Sequence, residues 1–182
     1  MVELPMTDRE KILAALPDAT AEGLPPTEWT GARSHVFADV FLALGGKIGT
    51  VSDFSDLVAG RSVWLDDDAR QELQSRGIEL PSNCDSIWDA AVGVTLAQLL
   101  VAETGTIAVA AGPGHWRLAS LVPPVHVVLA RRDQEVPSLS DAIAALTDRT
   151  SVFISGTSRT ADIEGVMVRG VHGPGEVWLL WL

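Results

Sequence analysis

From Ser34 onward the apolar positions fall in short blocks separated by polar turns, and the blocks alternate between two periods. Val36, Phe37, Val40, Phe41 and Leu44 recur at three- and four-residue spacing before Gly45-Gly46, which predicts a helix with a glycine stop. Ile48–Val51 and Val63–Leu65 are apolar runs of strand length. The polar stretch Asp66–Arg76 opens with three acids that suit the positive end of a helix dipole. In the second half, Ala91–Val94 reads as a strand, Leu96–Ala102 as a helix and TIAVAA as another strand running into Gly-Pro-Gly. A brief helix is expected from His115 to Val122, stopped by Pro123-Pro124. Val125–Leu129 then reads as a strand, Ser140 as the cap of a helix through Leu146, Ser151–Ile154 as a strand, and EVWLLWL as the last strand. Apolar strands alternating with helices predict a three-layer α/β/α domain around a largely parallel sheet, spanning residues 34–182.

The segment before it has a different texture. Thr7 and Glu10 form a capping box ahead of Ile12, Leu13 and Leu16, and Pro17 ends that stripe. Residues 17–33, rich in proline, glycine and threonine, read as a loop or linker. The expected organisation is therefore an amino-terminal helix and linker over 1–33, followed by one α/β domain.

Composition narrows the classes of function. The longest charge-free stretches, Ala90–Ala102 and Leu118–Ala130, fall short of the roughly 18 residues of a bilayer span, so no membrane span is expected. The amino end, MVELPMTDRE, carries acids where a secretory signal has a basic region, and a cytoplasmic location is expected. Cys84 is the single cysteine, which excludes an internal disulfide and an iron–sulfur cluster held by this chain, since a cluster needs about four thiolates. No bound cofactor is expected, and no HxxxH or HExxH spacing supports a metal site. A net charge of -11 argues against a nucleic-acid partner. The acidity is uneven: residues 1–89 hold 16 acids against 7 basic residues, and 90–182 hold 8 against 6. The second half is the more hospitable to an anion.

Two stretches there concentrate hydrogen-bonding capacity, and both are expected beyond the carboxyl ends of strands, where ligands bind in such sheets. In AAGPGHWR, Gly112 and Gly114 permit close backbone approach, and Arg117 with free helix amides favours a carboxylate or phosphate. The alternative is a plain turn with Arg117 in an internal ion pair. In SGTSRTADIE, Ser155, Gly156, Ser158, Arg159 and Thr160 can hold a ligand. They can equally cap a short helix, with Arg159 paired to Asp162 or Glu164. Glu103, expected at a helix end, and His126, inside an apolar strand, are candidates for proton handling, with a salt bridge and a satisfied core histidine as the structural alternatives. His172, in a glycine-rich turn, can face a cleft. No GxSxG, P-loop or full GxGxxG fingerprint is present.

Taken together, GGKI, DAAVGVTLAQLLVAETGTIAVAAGPGHWRLASLVPPVHVV, ISGTSRTADIEG and GVHGPGEV resemble the LUD domain family, and within it the lactate utilization protein C group. The likeness runs from about Phe37 to the end. It implies a fold similar to sugar-phosphate isomerases and coenzyme A transferases, and a role beside two iron–sulfur partner proteins in oxidising L-lactate to pyruvate. Three readings of function follow. The first is a subunit of that lactate-oxidising system, inactive alone, that binds a small carboxylate or other anionic ligand. The second is a stand-alone enzyme for acyl or phosphorylated substrates. The third is a non-catalytic adaptor docking through the final strand with Trp178 and Trp181.

Overall fold

A computed structural model describes residues 36–112, 117–146, 150–161 and 167–182, all within one unit, Ala32–Leu182. The helix and linker expected over 1–33 lie outside the described residues. The predicted first helix of the domain is α1, Phe37–Ala43, and Gly45 ends it at φ +85°, a conformation that favours glycine. Strand β1, Lys47–Thr50, follows, then a short α2, Phe54–Val58, which the sequence pattern did not announce. Strand β2, Val63–Leu65, leads into α3, Asp67–Ser75.

The largest departure from the sequence reading comes next. Residues expected to form a strand and then a helix make one ten-residue strand, β3, Val92–Val101. Leu96, Ala97, Gln98, Leu99 and Leu100 are good helix formers, but pairing on both sides overrides that preference. The first half of β3 lies between β2 and β5, Val125–Ala130. The second half lies between β4, Thr106–Ala111, and a two-residue β6, Glu135–Val136. Because β3 turns straight back into β4, that pair is antiparallel and no helix separates them.

Helix α4, Leu139–Ala145, is capped by Ser138 rather than Ser140, with Asp141 completing a capping box. Strand β7, Thr150–Ile154, pairs antiparallel with β4. Residues 159–161 are not helical: β8, Arg159–Ala161, and β9, Met167–Arg169, form a separate two-stranded antiparallel ribbon. Strand β10, Glu176–Trp181, closes the order β1-β10-β5-β3-β4-β7 in a mixed, mostly parallel sheet. It is an interior strand, paired with both β1 and β5, so the docking edge expected at Trp178 and Trp181 does not exist. Trp181 instead packs edge-on to Phe37 at 6.4 Å.

Helices cover both faces, as the three-layer reading requires. On one face Phe37 and Phe41 of α1 pack on Leu100, Ile107, Val109, Val128 and Leu179. On the other, Phe54, Val58, Ala69 and Leu73 of α2 and α3 pack on Val63, Val94, Val127, Leu129 and Leu180. Burying each such side chain contributes about 1.5–3 kcal/mol, which makes these two layers the main source of stability. Among the described residues no helix is long and apolar enough to cross a membrane.

One buried polar group works against this core. Asp66 caps α3, its Oδ1 accepting from the Ala69 amide at 2.7 Å, yet it is only 5% exposed. Burial pushes its carboxyl from 3.8 up to about 7, against the pull of the Ala69 amide. The folded state therefore holds a proton that the unfolded chain releases near pH 4, and the associated stability is lost as pH rises toward 7. Asp66→Asn keeps a capping oxygen without the charge. In urea unfolding it should gain on the parent between pH 5 and pH 8 by about 1–3 kcal/mol. Parallel pH profiles for the two proteins would contradict this.

Candidate functional site

Three loops meet over the amino ends of the central strands. The register sets Val92, Val125 and Glu176 side by side, so β3, β5 and β10 begin at one level. A 3-10 turn, Arg117–Ser120, and the prolines after it lead into β5. Residues 170–175 lead into β10, and residues 155–158 arrive from β7. Backbone hydrogen bonds tie the three together: Ser158 N donates to Pro174 O at 2.9 Å, Gly170 N to Ser158 O at 3.0 Å and Glu176 N to Pro124 O at 3.3 Å. Gly173 also packs between Ser158 and Leu121. Both stretches singled out in the sequence follow carboxyl ends of strands, β4 and β7, as the sequence reading placed them. The 102–105 hairpin makes β4 antiparallel to β3, so its carboxyl end lies at the opposite edge, whereas β7, antiparallel to β4, ends on the same edge as β3.

Gly93 allows the 3-10 turn to lie flat on the sheet. A Cβ there would stand 2.9 Å from both the Ala119 carbonyl carbon and Pro123 Cγ, and closer still to the Ala119 oxygen. Arg117 is exposed at the start of this turn, its carbonyl accepting from Ser120 Oγ at 2.9 Å. Ser155 Oγ meets Thr106 Oγ1 at 2.7 Å, and Thr104 Oγ1 donates to the same Thr106 hydroxyl at 2.7 Å. Gly156, at φ +80°, presses against the Leu44 carbonyl where a Cβ would be only 2.6 Å away. Arg159 donates through Nη2 to Leu44 O at the end of α1, and through Nε to Thr157 Oγ1 at 3.4 Å. Thr160 is half-buried on β8, His172 is exposed in the 170–175 turn and Gly112 is exposed at the end of β4. Gly114, Asp162 and Glu164 lie outside the described residues.

Glu103 stands in the hairpin turn, not at a helix end, and its Oε2 accepts from the Leu139 amide at 3.3 Å. A carboxylate against the first amides of α4 is favourably placed for that helix dipole. The structure thus brings Ser158 to the 170–175 turn beside Leu121, holds Arg159 at the end of α1, leaves Arg117 exposed at the start of the 3-10 turn and sends the Glu103 carboxylate to α4.

A family model for the LUD domain matches residues 67–181, more than half of the chain. The chain belongs to the LUD domain family. Lactate utilization protein C of Exiguobacterium sp. is 37% identical over 97 residues, covering 48% of this chain and 42% of that protein. Lactate utilization protein C of Shouchella clausii is 30% identical over 151 residues, covering 71% of this chain and 66% of that protein. That of Geobacillus sp. is 33% identical over 101 residues, covering 50% and 42%. This LUD domain chain therefore spans 42% to 66% of the length of those relatives. Among solved structures, a DUF162 family protein from Deinococcus radiodurans shares the fold, with a TM-score of 0.53 at 20% identity over 80% of this chain and 93% of that one.

Beneath the loops of the LUD domain lies His126. It is fully buried in β5, in register with Gly93 and Val177, and its Nε2 is 2.9 Å from Thr95 Oγ1. Its Nδ1 has no hydrogen-bond partner among the described residues. Burial lowers its pKa from 6.5 to about 3, so the ring is neutral at physiological pH. Two residues that matter here escaped the sequence reading. Thr95 was hidden because its strand was split at that point, although Gly93, Thr95 and Ala97 alternate as small residues on one face. Arg169 sits in an exposed stretch with no periodicity to mark it as a strand.

Proposed function

We propose that this chain serves lactate utilization as a ligand-binding subunit that takes a small carboxylate at the loop cluster and acts with iron–sulfur partner proteins. What supports this reading is that the segments carrying Arg117 and Arg159 both adjoin the 170–175 turn, through Leu121 against Gly173 and Ser158 against Pro174, with no acid among the described residues of these loops. A guanidinium offers a planar fork that matches a carboxylate, and two on separate loops can grip a ligand between them. The name borne by the curated relatives supports the pathway. A single cysteine cannot hold a cluster that needs about four thiolates, so electron transfer falls to the partners. Of the two proton-handling candidates, Glu103 is engaged at α4 and His126 is a neutral ring sealed under the loops. The geometry accordingly supports ligand binding more directly than acid–base chemistry.

Two results are expected from the purified chain. With an artificial electron acceptor it leaves L-lactate unoxidised, and in calorimetry it binds L-lactate or pyruvate. Arg117→Ala and Arg159→Ala should each weaken that binding by about tenfold, the worth of one charge-assisted contact. Turnover by the chain alone would overturn the need for partners, and unchanged affinity in both variants would overturn the site.

A further inference from the structure

The β8–β9 ribbon sets Arg159 directly opposite Arg169. Directly opposed residues of an antiparallel pair emerge on the same face with Cβ atoms about 4.5–5.5 Å apart, and like charges there repel. Neither guanidinium has a carboxylate within ion-pair distance among the described residues. Arg159 is partly engaged by Leu44 O and Thr157, whereas Arg169 is exposed and has no hydrogen-bond partner among the described residues. The pair is also held in place: Gly170, next to Arg169, donates its amide to the Ser158 carbonyl, next to Arg159. In a chain of net charge -11, two opposed cations without a counter-charge among the described residues favour an anion between them.

We propose that Arg169, together with Arg159, binds a phosphate group at the rim of the loop cluster, beside the carboxylate site proposed above, on which this extension rests. A monocarboxylate carries one charge and satisfies one fork. A phosphate monoester carries about -1.5 to -2 charges at neutral pH and three acceptor oxygens, which suits two guanidinium groups carried by directly opposed residues. The ligand class is thus a phosphate, either free or at the end of a larger molecule.

The test is calorimetric titration of the full chain with inorganic phosphate, pyrophosphate, glycerol phosphate and L-lactate at low salt. Tight binding of the inorganic anions alone points to free phosphate, and stronger binding of the monoester points to a larger ligand. Arg169→Ala should weaken phosphate binding by about tenfold or more, with Arg169→Lys in between because it keeps the charge and loses the fork. Arg61→Ala, an exposed arginine elsewhere, should leave phosphate binding unchanged. Circular dichroism melts confirm that each variant is folded. Binding of L-lactate with no binding of any phosphate would overturn this proposal and leave the carboxylate site standing. Phosphate binding lost in Arg169→Ala, with no lactate binding in the parent, would do the reverse. Equal weakening by Arg61→Ala and Arg169→Ala would reduce the effect to net charge and also overturn it.

Discussion

Gly93→Ala should destabilise the domain by about 3 kcal/mol, at the upper end of overpacking penalties, and should abolish anion binding with it. The added methyl has nowhere to go. Its nearest neighbours are the carbonyl group of Ala119 and the ring of Pro123, both fixed by the backbone, so no flexible side chain can swing away. Relief requires lifting the Arg117–Ser120 turn off the sheet, which carries Arg117 away from the loops at 155–159 and 170–175. Gly175→Ala is the matched control, because a Cβ there meets nothing closer than 3.6 Å. It should cost under about 1 kcal/mol. Urea unfolding of the two variants decides the point, and equal midpoints would show that the turn is not pinned to β3 through this glycine.

The second large effect concerns acid. His126 has its pKa lowered to about 3 in the fold and returns to about 6.5 when unfolded. Between those values the unfolded chain binds a proton that the folded chain does not, so stability is fully present above about pH 6.5 and is lost as pH falls toward 3. The full difference is on the order of 5 kcal/mol at the acid end. Other carboxylates titrate in the same range, which makes the comparison with His126→Gln essential. Glutamine can still meet Thr95 but does not ionise. The parent should lose more stability than the variant between pH 7 and pH 4.5, and coincident slopes would mean that the buried ring is relieved by local opening before it charges.

How far the sequence could lead differs between fold and site. Runs such as Val125–Leu129 and EVWLLWL were legible as strands because a strand buried on both faces needs an unbroken apolar run. Leu96–Ala102 was not, because its leucines, alanine and glutamine favour a helix in isolation and only β4 and β6 pairing decides otherwise. That single misreading also put the loop after β4 at the wrong edge, since a helix after β3 would have kept β4 parallel, whereas the loop after β7 still leaves from the carboxyl edge. Asp66 shows the opposite case: three consecutive acids announced the start of α3, but only the packed structure distinguishes the buried capping residue from the two that follow it. The ribbon of β8 and β9 was invisible because RTA and MVR are three-residue runs without period, and Arg169 gained its meaning only from standing opposite Arg159.

In the proposed site Arg117 and Arg159, 42 positions apart in sequence, hold the same small anion. A calorimetric double-mutant cycle on L-lactate or pyruvate binding, with Arg117→Ala, Arg159→Ala and the double variant, measures this most directly. Each single change should weaken binding, and the double change should depart from their sum by about 0.5 kcal/mol or more. Strictly additive losses, or a single variant that binds as the parent does, would contradict it.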